Sequence, residues 1–260
     1  MTSELSDAVD LEVRGHSAII TINRPQARNA VNAAVAIGIE AGIDRLEGDD
    51  ALWVGIIAGV PPAFCAGADL KELGAGRAAE LTTERGGFAG ITKRIRSKPM
   101  IAAVDGPALA GGMEIVLSVD LVVASGDARF GLPEVKRSLI AGAGGLFRLP
   151  RQIPLNVAME AALTGDPFDA PTAARLGLVN HLVEPGEALA GALALAQRII
   201  VNAPVAVRET RKVILQTAGR DDATGWELSE RGLAAAMSSE DFAEGIAAFI
   251  DKRPPEWKGR

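Results

Sequence analysis

Short β-branched runs recur through most of the chain and then stop. Leu11–Ile22, Leu52–Ala58, Met100–Val104, Leu121–Ala124 and Leu178–Val183 are each bounded by Gly, Pro, Asp or Asn, the punctuation expected of strands. Helix-like stretches lie between them, at Asn32–Leu46, Glu84–Ile95 and Gly112–Val119. This alternation predicts a layered α/β core with buried strands. After Pro185 the pattern changes, because Glu187–Val201, Val205–Thr217, Gly225–Met237 and Asp241–Ile250 all read as helices with no strand candidate among them. A helical appendage therefore begins within 185–204, where Asn202-Ala203-Pro204 is one punctuation point. Drawn as boundaries, this gives a core over 1–200 and an appendage over 201–260.

At 260 residues the chain has room for one large domain, or for one domain with a smaller attachment, and needs no disulfide to hold its core. Its single cysteine, Cys65, excludes an internal disulfide and a Cys-rich metal site. The charge balance, 27 − 33 = −6, argues against bulk attraction to nucleic acid, while leaving room for a local basic pocket facing an anionic ligand. No apolar run reaches the ~18 residues of a membrane-spanning helix, so no membrane role is expected. The opening MTSELSDAVDLEV is polar and acidic rather than signal-like, which makes a reducing, cytoplasmic setting the default expectation.

Most conventional catalytic constellations are missing. His16 falls in a Gly-flanked hairpin-like turn and His181 in the apolar run LVNHLV, and no motif surrounds either. The sequence has no GxSxG, HExxH, CxxC or GxxxxGK[ST], so neither a metal nor a nucleotide cofactor is expected. Gly74–Ala79 fits a loose GxGxxA, but it follows the polar DLKEL instead of a strand and reads as a loop. Cys65, flanked by apolar residues, reads as a small core side chain.

Two glycine-rich loops are better placed. Pro62–Leu70 follows the strand Leu52–Ala58, its small residues 66–68 allow close approach to the backbone, and Asp69 can cap a short helix from Leu70. Gly106–Glu114 follows Met100–Val104 and runs into the helix-like MEIVLSV. N–H groups at such helix starts lack intrahelical partners, and two loops could aim one each at a single oxygen, as in an oxyanion hole. Glu114 is embedded in that apolar helix start, and Glu134 follows 20 residues on in Phe130-Gly131-Leu132-Pro133-Glu134-Val135, ahead of the glycine-rich 141–145. Paired glutamates near an apolar pocket can take separate acid and base roles. On the plainer reading the loops are structural turns, Glu114 is a dipole-favoured helix-start residue and Glu134 a salt-bridge partner.

Taken together these segments resemble the enoyl-CoA hydratase/isomerase (crotonase) superfamily nearly end to end. The resemblance runs through Asn23–Ala30, Phe64–Lys71, Ala110–Glu114, Phe130–Val135, Gly142–Gly145, Ala174–Val179 and Ser239–Asp241 to Lys252-Arg253, in the family's order and spacing. It implies a crotonase-like spiral of ββα units with a helical C-terminal appendage, binding acyl-CoA thioesters and needing no cofactor, since coenzyme A arrives with the substrate. It further implies that the Ala68 and Gly111 amides polarise the thioester carbonyl, that Glu114 activates the water added at Cβ, and that Glu134 exchanges the proton at Cα. Arg24, Ala27, Arg28, Ala66, Ala68, Asp69, Leu70, Lys71 and Gly111 are the implied substrate contacts, with Arg24, Arg28 and Lys71 toward the CoA phosphates. A homotrimer or dimer of trimers is implied as well. Ala110 stands where the first of three glycines is common, and Ala141 where proline is frequent. Arg85–Gly90 and the ending Pro255–Arg260 look like carnitinyl-CoA dehydratases. The expected activity is thus enoyl-CoA hydration. An isomerase, a carnitinyl-CoA dehydratase-like lyase and a catalytically silent acyl-CoA-binding protein are the alternatives.

Overall fold

The computed structural model describes residues 2–260. Its strands are β1 (Thr2–Ser6), β2 (Val9–Arg14), β3 (Ser17–Ile22), β4 (Val54–Gly59), β5 (Thr82–Thr83), β6 (Gly87–Phe88), β7 (Met100–Val104), β8 (Pro107–Leu109), β9 (Leu121–Ser125), β10 (Arg129–Gly131), β11 (Phe168–Asp169) and β12 (His181–Val183). Its α-helices are α1 (Ala33–Gly48), α2 (Leu70–Gly74), α3 (Gly111–Val116), α4 (Gly145–Gln152), α5 (Leu155–Thr164), α6 (Ala170–Arg175), α7 (Ala188–Ile200), α8 (Pro204–Thr217), α9 (Asp222–Met237) and α10 (Glu240–Asp251).

Seven strands form the main sheet in the order β1-β2-β3-β4-β7-β9-β12. The first three pair antiparallel and the rest parallel, with Ile19 opposite Ile56, Ile56 opposite Ile101 and Ile101 opposite Leu121. Alternate residues of each strand face opposite layers. Ile20, Ile57 and Ala102 join the core beneath α1, while Ile19, Ile56 and Ile101 meet Ala188, Ala192 and Ala196 of α7. The stripe at i, i+4, i+8 makes α7 the cover of the sheet's second face.

A second, smaller sheet, β11-β10-β8, gives the fold its repeat. The segment after β4 bridges it at Cys65–Ala108, β7 is followed by β8, and β9 by β10. Three times over, a long strand leads into a short one and then into a helical turn, beginning respectively at Leu70, Gly111 and Pro133. This is the spiral of ββα units the resemblance implies.

The segment Glu84–Ile95 is not the helix its sequence suggests. Gly87 and Gly90 adopt φ of +68° and +69°, residues 87–88 pair with 82–83, and a methyl on Gly90 would fall 2.2 Å from the Ala36 carbonyl oxygen. The glycines serve turns that bring this segment against α1. The last predicted strand is also shorter: Leu178–Asn180 form a turn, and only His181–Val183 pair with β9. Among the described residues no single helix is long and apolar enough to cross a membrane.

Candidate active site

Each turn of the spiral leaves one candidate group just beyond its short strand. The loop after β4 is sewn to β8 by Cys65 N–H to Pro107 (3.2 Å) and Leu109 N–H to Cys65 (3.0 Å). Beyond this seam the Gly67 carbonyl accepts from Val31 and the Asp69 amide donates to Val31, which directs the intervening Ala68 N–H to the other side. A methyl group on Gly67, whose φ is +95°, would lie 2.9 Å from the Gly111 amide nitrogen, so only glycine lets the two loops approach this closely. Gly111 opens α3, where its N–H has no intrahelical partner. Among the described residues neither the Ala68 nor the Gly111 amide has a hydrogen-bond acceptor.

Glu114 lies in the first turn of α3 and is 3% exposed. Its Oε1 accepts the Ala143 (2.7 Å) and Gly145 (2.9 Å) amides. Arg148 stands nearby, its guanidinium donating to Ser118 Oγ (3.2 Å) and the Thr92 carbonyl (2.6 Å). Burial raises the Glu114 pKa, and the two amides and the Arg148 charge offset only part of that rise. Glu134 opens the 3₁₀ turn Pro133–Arg137, and its Oε2 is buried without a partner. Burial pushes its pKa up to about 7, and the neighbouring Glu114 adds to the effect. One carboxyl is thus held by donors while the other is free to move a proton.

Both glutamates face one cavity of about 520 Å³, together with Ala66, Ala68, Leu70 and Gly111. Arg24, Ala27, Arg28, Asp69 and Lys71 lie outside its wall. Arg24 donates to the Ala30 carbonyl (2.5 Å) and pairs with Asp69 (3.2 Å), while Asp69 Oδ1 caps α2 at Lys71 N–H (3.0 Å). Ala27 ends the 3₁₀ turn Pro25–Ala27, and the Arg28 carbonyl accepts from Ala66 (3.0 Å). Arg24 and Asp69 therefore brace the loop that carries Ala68, and Lys71 is exposed beside it.

Sequence reasoning missed several wall residues, among them Phe88, Thr92, Lys93, Lys136, Arg137 and Ile140, as well as Arg148 behind Glu114. The one available signal was the glycine-rich 141–145, whose amides hold Glu114. Cys65 is fully buried and its thiol is pushed up to about 12 by burial, which leaves it inert. His16 stacks on Trp53 with ring centroids 3.6 Å apart, and His181 is an exposed strand residue.

Comparison with known proteins places the chain in a family. Residues 14–260 match the family described as Enoyl-CoA hydratase/isomerase. The chain is 42% identical to the mevalonyl-coenzyme A hydratase of Aspergillus fumigatus, covering 94% of this chain and 92% of that protein. It is 36% identical to the carnitinyl-CoA dehydratase of Proteus mirabilis, covering 98% and 100%. The crystal structure of an enoyl-CoA hydratase from Mycobacterium tuberculosis superposes with a TM-score of 0.93 at 48% identity, covering 97% of this chain and 99% of that one.

Proposed function

The chain belongs to the enoyl-CoA hydratase/isomerase family, and from that premise we propose that it adds water across the 2,3 double bond of a 2-enoyl-CoA thioester. One observation carries the reading: two glutamates and two amides without acceptors share a single cavity. The Ala68 and Gly111 N–H groups donate to the thioester carbonyl oxygen between them and stabilise the enolate as it forms; one such donor is commonly worth about 2.7–4 kcal/mol of barrier. Ionised Glu114 takes a proton from water as the water oxygen bonds to Cβ and the π electrons move onto the thioester. Protonated Glu134 then delivers its proton to Cα, giving the 3-hydroxyacyl thioester. A proton passed from Glu114 back to Glu134 resets the pair. Coenzyme A enters as part of the substrate, and the chemistry calls for no further cofactor.

Glu114→Gln and Glu134→Gln should each lower kcat by at least ~100-fold, the scale of a general acid–base group, with thioester binding retained. Near-native turnover by either variant would refute the two-carboxylate mechanism. Product analysis separates the other readings. A shifted double bond without hydroxylation marks an isomerase, and tight binding without turnover by the parent protein marks an acyl-CoA-binding protein. A carnitinyl-CoA dehydratase-like lyase is the second reading, favoured by the likeness to the Proteus mirabilis protein and tested by turnover of carnitinyl-CoA.

A further inference from the structure

The hydration chemistry leaves part of the cavity wall unused. Lys93, Lys136 and Arg137 all line it. Lys136 is neutralised by Asp166 at 2.5 Å, whereas among the described residues Lys93 and Arg137 have no carboxylate partner, and the Arg137 guanidinium donates only to the Lys136 carbonyl (3.1 Å). Arg148 lies behind Glu114 and answers its charge, so two cations, Lys93 and Arg137, stay without a carboxylate on the wall, and the reaction uses both carboxylates. A second observation is independent of charge. Thr92 lines the cavity at 2% exposure, and its Oγ1 is buried with no hydrogen-bond partner. A buried hydroxyl left this way is a standing cost that a polar ligand atom removes. A third concerns what the wall lacks. Its one aromatic is Phe88, whose ring is wedged against Gly111, where an added methyl would fall 2.4 Å from it. A desolvated quaternary ammonium needs several aromatic faces or a spare carboxylate around it, and this wall offers one wedged ring and only the two carboxylates that the reaction uses.

We propose that this cavity selects an acyl group bearing an oxygen-acceptor substituent, a carboxylate in the strongest case, through Arg137, Lys93 and Thr92, and rejects one bearing a quaternary ammonium. The inference rests on the reading of the site as an enoyl thioester site. Within that reading it decides between the substrate chemistries of the relatives.

Saturated thioesters test it apart from turnover. Butyryl-CoA, glutaryl-CoA and 4-trimethylammoniobutyryl-CoA share their CoA moiety and differ in the charge at the acyl end, so calorimetric Kd values isolate that end. Glutaryl-CoA should bind ~10-fold more tightly than butyryl-CoA, and the ammonium thioester ~10-fold more weakly. Arg137→Ala, an exposed position, should weaken glutaryl-CoA more than butyryl-CoA, and Thr92→Val should act in the same direction. Equal loss for all three ligands in Arg137→Ala would mean that the arginine serves the CoA phosphates, which overturns the proposal. So would an ammonium thioester binding as tightly as butyryl-CoA. Turnover of crotonyl-CoA and of glutaconyl-CoA, its counterpart with a distal carboxylate, is assayed in parallel. Absent turnover with the charge preference intact defeats hydration and leaves the selectivity standing, while absence of thioester binding defeats both.

Discussion

Glu114 and Glu134 must hold one proton between them for hydration to run in either direction. Adding water consumes no net proton, so the forward step starts with the proton on Glu134 and the reverse step with it on Glu114. Both directions therefore draw on the singly protonated pair, and kcat/KM should trace the same bell for crotonyl-CoA hydration and for 3-hydroxybutyryl-CoA dehydration. The falling limb should lie near pH 7, where Glu134 ionises, and the rising limb above the ordinary carboxylate range because Glu114 is also raised. A rate still climbing at pH 9 would defeat the assignment. The same shift has a stability consequence. Below pH 4.5 the Glu134 carboxyl is protonated folded and unfolded, so nothing is lost; between pH 4.5 and about 7 the unfolded carboxyl ionises while the buried folded one keeps its proton, so stability falls across that window and levels off above it. Glu134→Gln should remove that loss, leaving the variant more stable than the parent at pH 8 by on the order of 1–3 kcal/mol and equal to it at pH 4. Urea titrations at the two pH values would measure the difference, and equal stability at pH 8 would contradict it.

At the scale of elements, long strands and capped helices were legible and short or turn-borne ones were not. The strand Met100–Val104 is as its sequence suggests, and Asn32 caps α1 with Oδ1 accepting from Val35 (3.0 Å). The three-residue strands β8 and β10 contain Pro107 and Gly131 and carry too little periodicity to be seen, yet they set the spiral. Helices α4 and α6 were missed for a related reason: Pro150 lies inside α4 and Pro171 at the start of α6, so composition argues against a helix that tertiary packing imposes. Glu114 and Glu134 stand out in the sequence because each follows a local glycine or proline turn, whereas Ala68 and Gly111 are picked from their glycine-rich loops only by the family resemblance. Thr92 and Arg148 could not be read, since packing between distant segments brings one to the cavity wall and the other behind Glu114, and Arg137, in the same turn as Glu134, carries no motif of its own. One such long-range contact yields a prediction. The Lys98 ammonium, buried, donates to the carbonyls of Leu46 (2.7 Å) and Asp49 (2.8 Å) at the end of α1. Lys98→Met keeps the stem and strands those carbonyls, so it should cost about 1–3 kcal/mol in denaturation midpoint analysis. A change below a few tenths would mean water replaces the ammonium.

The whole molecule leaves several large apolar side chains uncovered. Phe249 is 85% exposed, Trp226 71% and Ile250 70%, on the helices that follow the sheet. Ile140, Leu155 and Leu163 are exposed as well, around a mainly apolar cavity of about 300 Å³ that Glu134 also borders. These helices are not loose. Asp241 accepts the Lys258 (2.6 Å) and Gly259 (3.0 Å) amides, and the Trp257 indole donates to the Val201 carbonyl (2.9 Å), so the C-terminal segment is tied down while its apolar side chains stay outward. Rigid apolar surface of this extent is expected to meet another copy of the chain. The family resemblance implies the number, a trimer or a pair of trimers. Light scattering at micromolar concentration should then return three or six times the 26.9 kDa chain mass. A fully active species of 26.9 kDa would overturn this and would mean that the exposed faces are tolerated by a monomer.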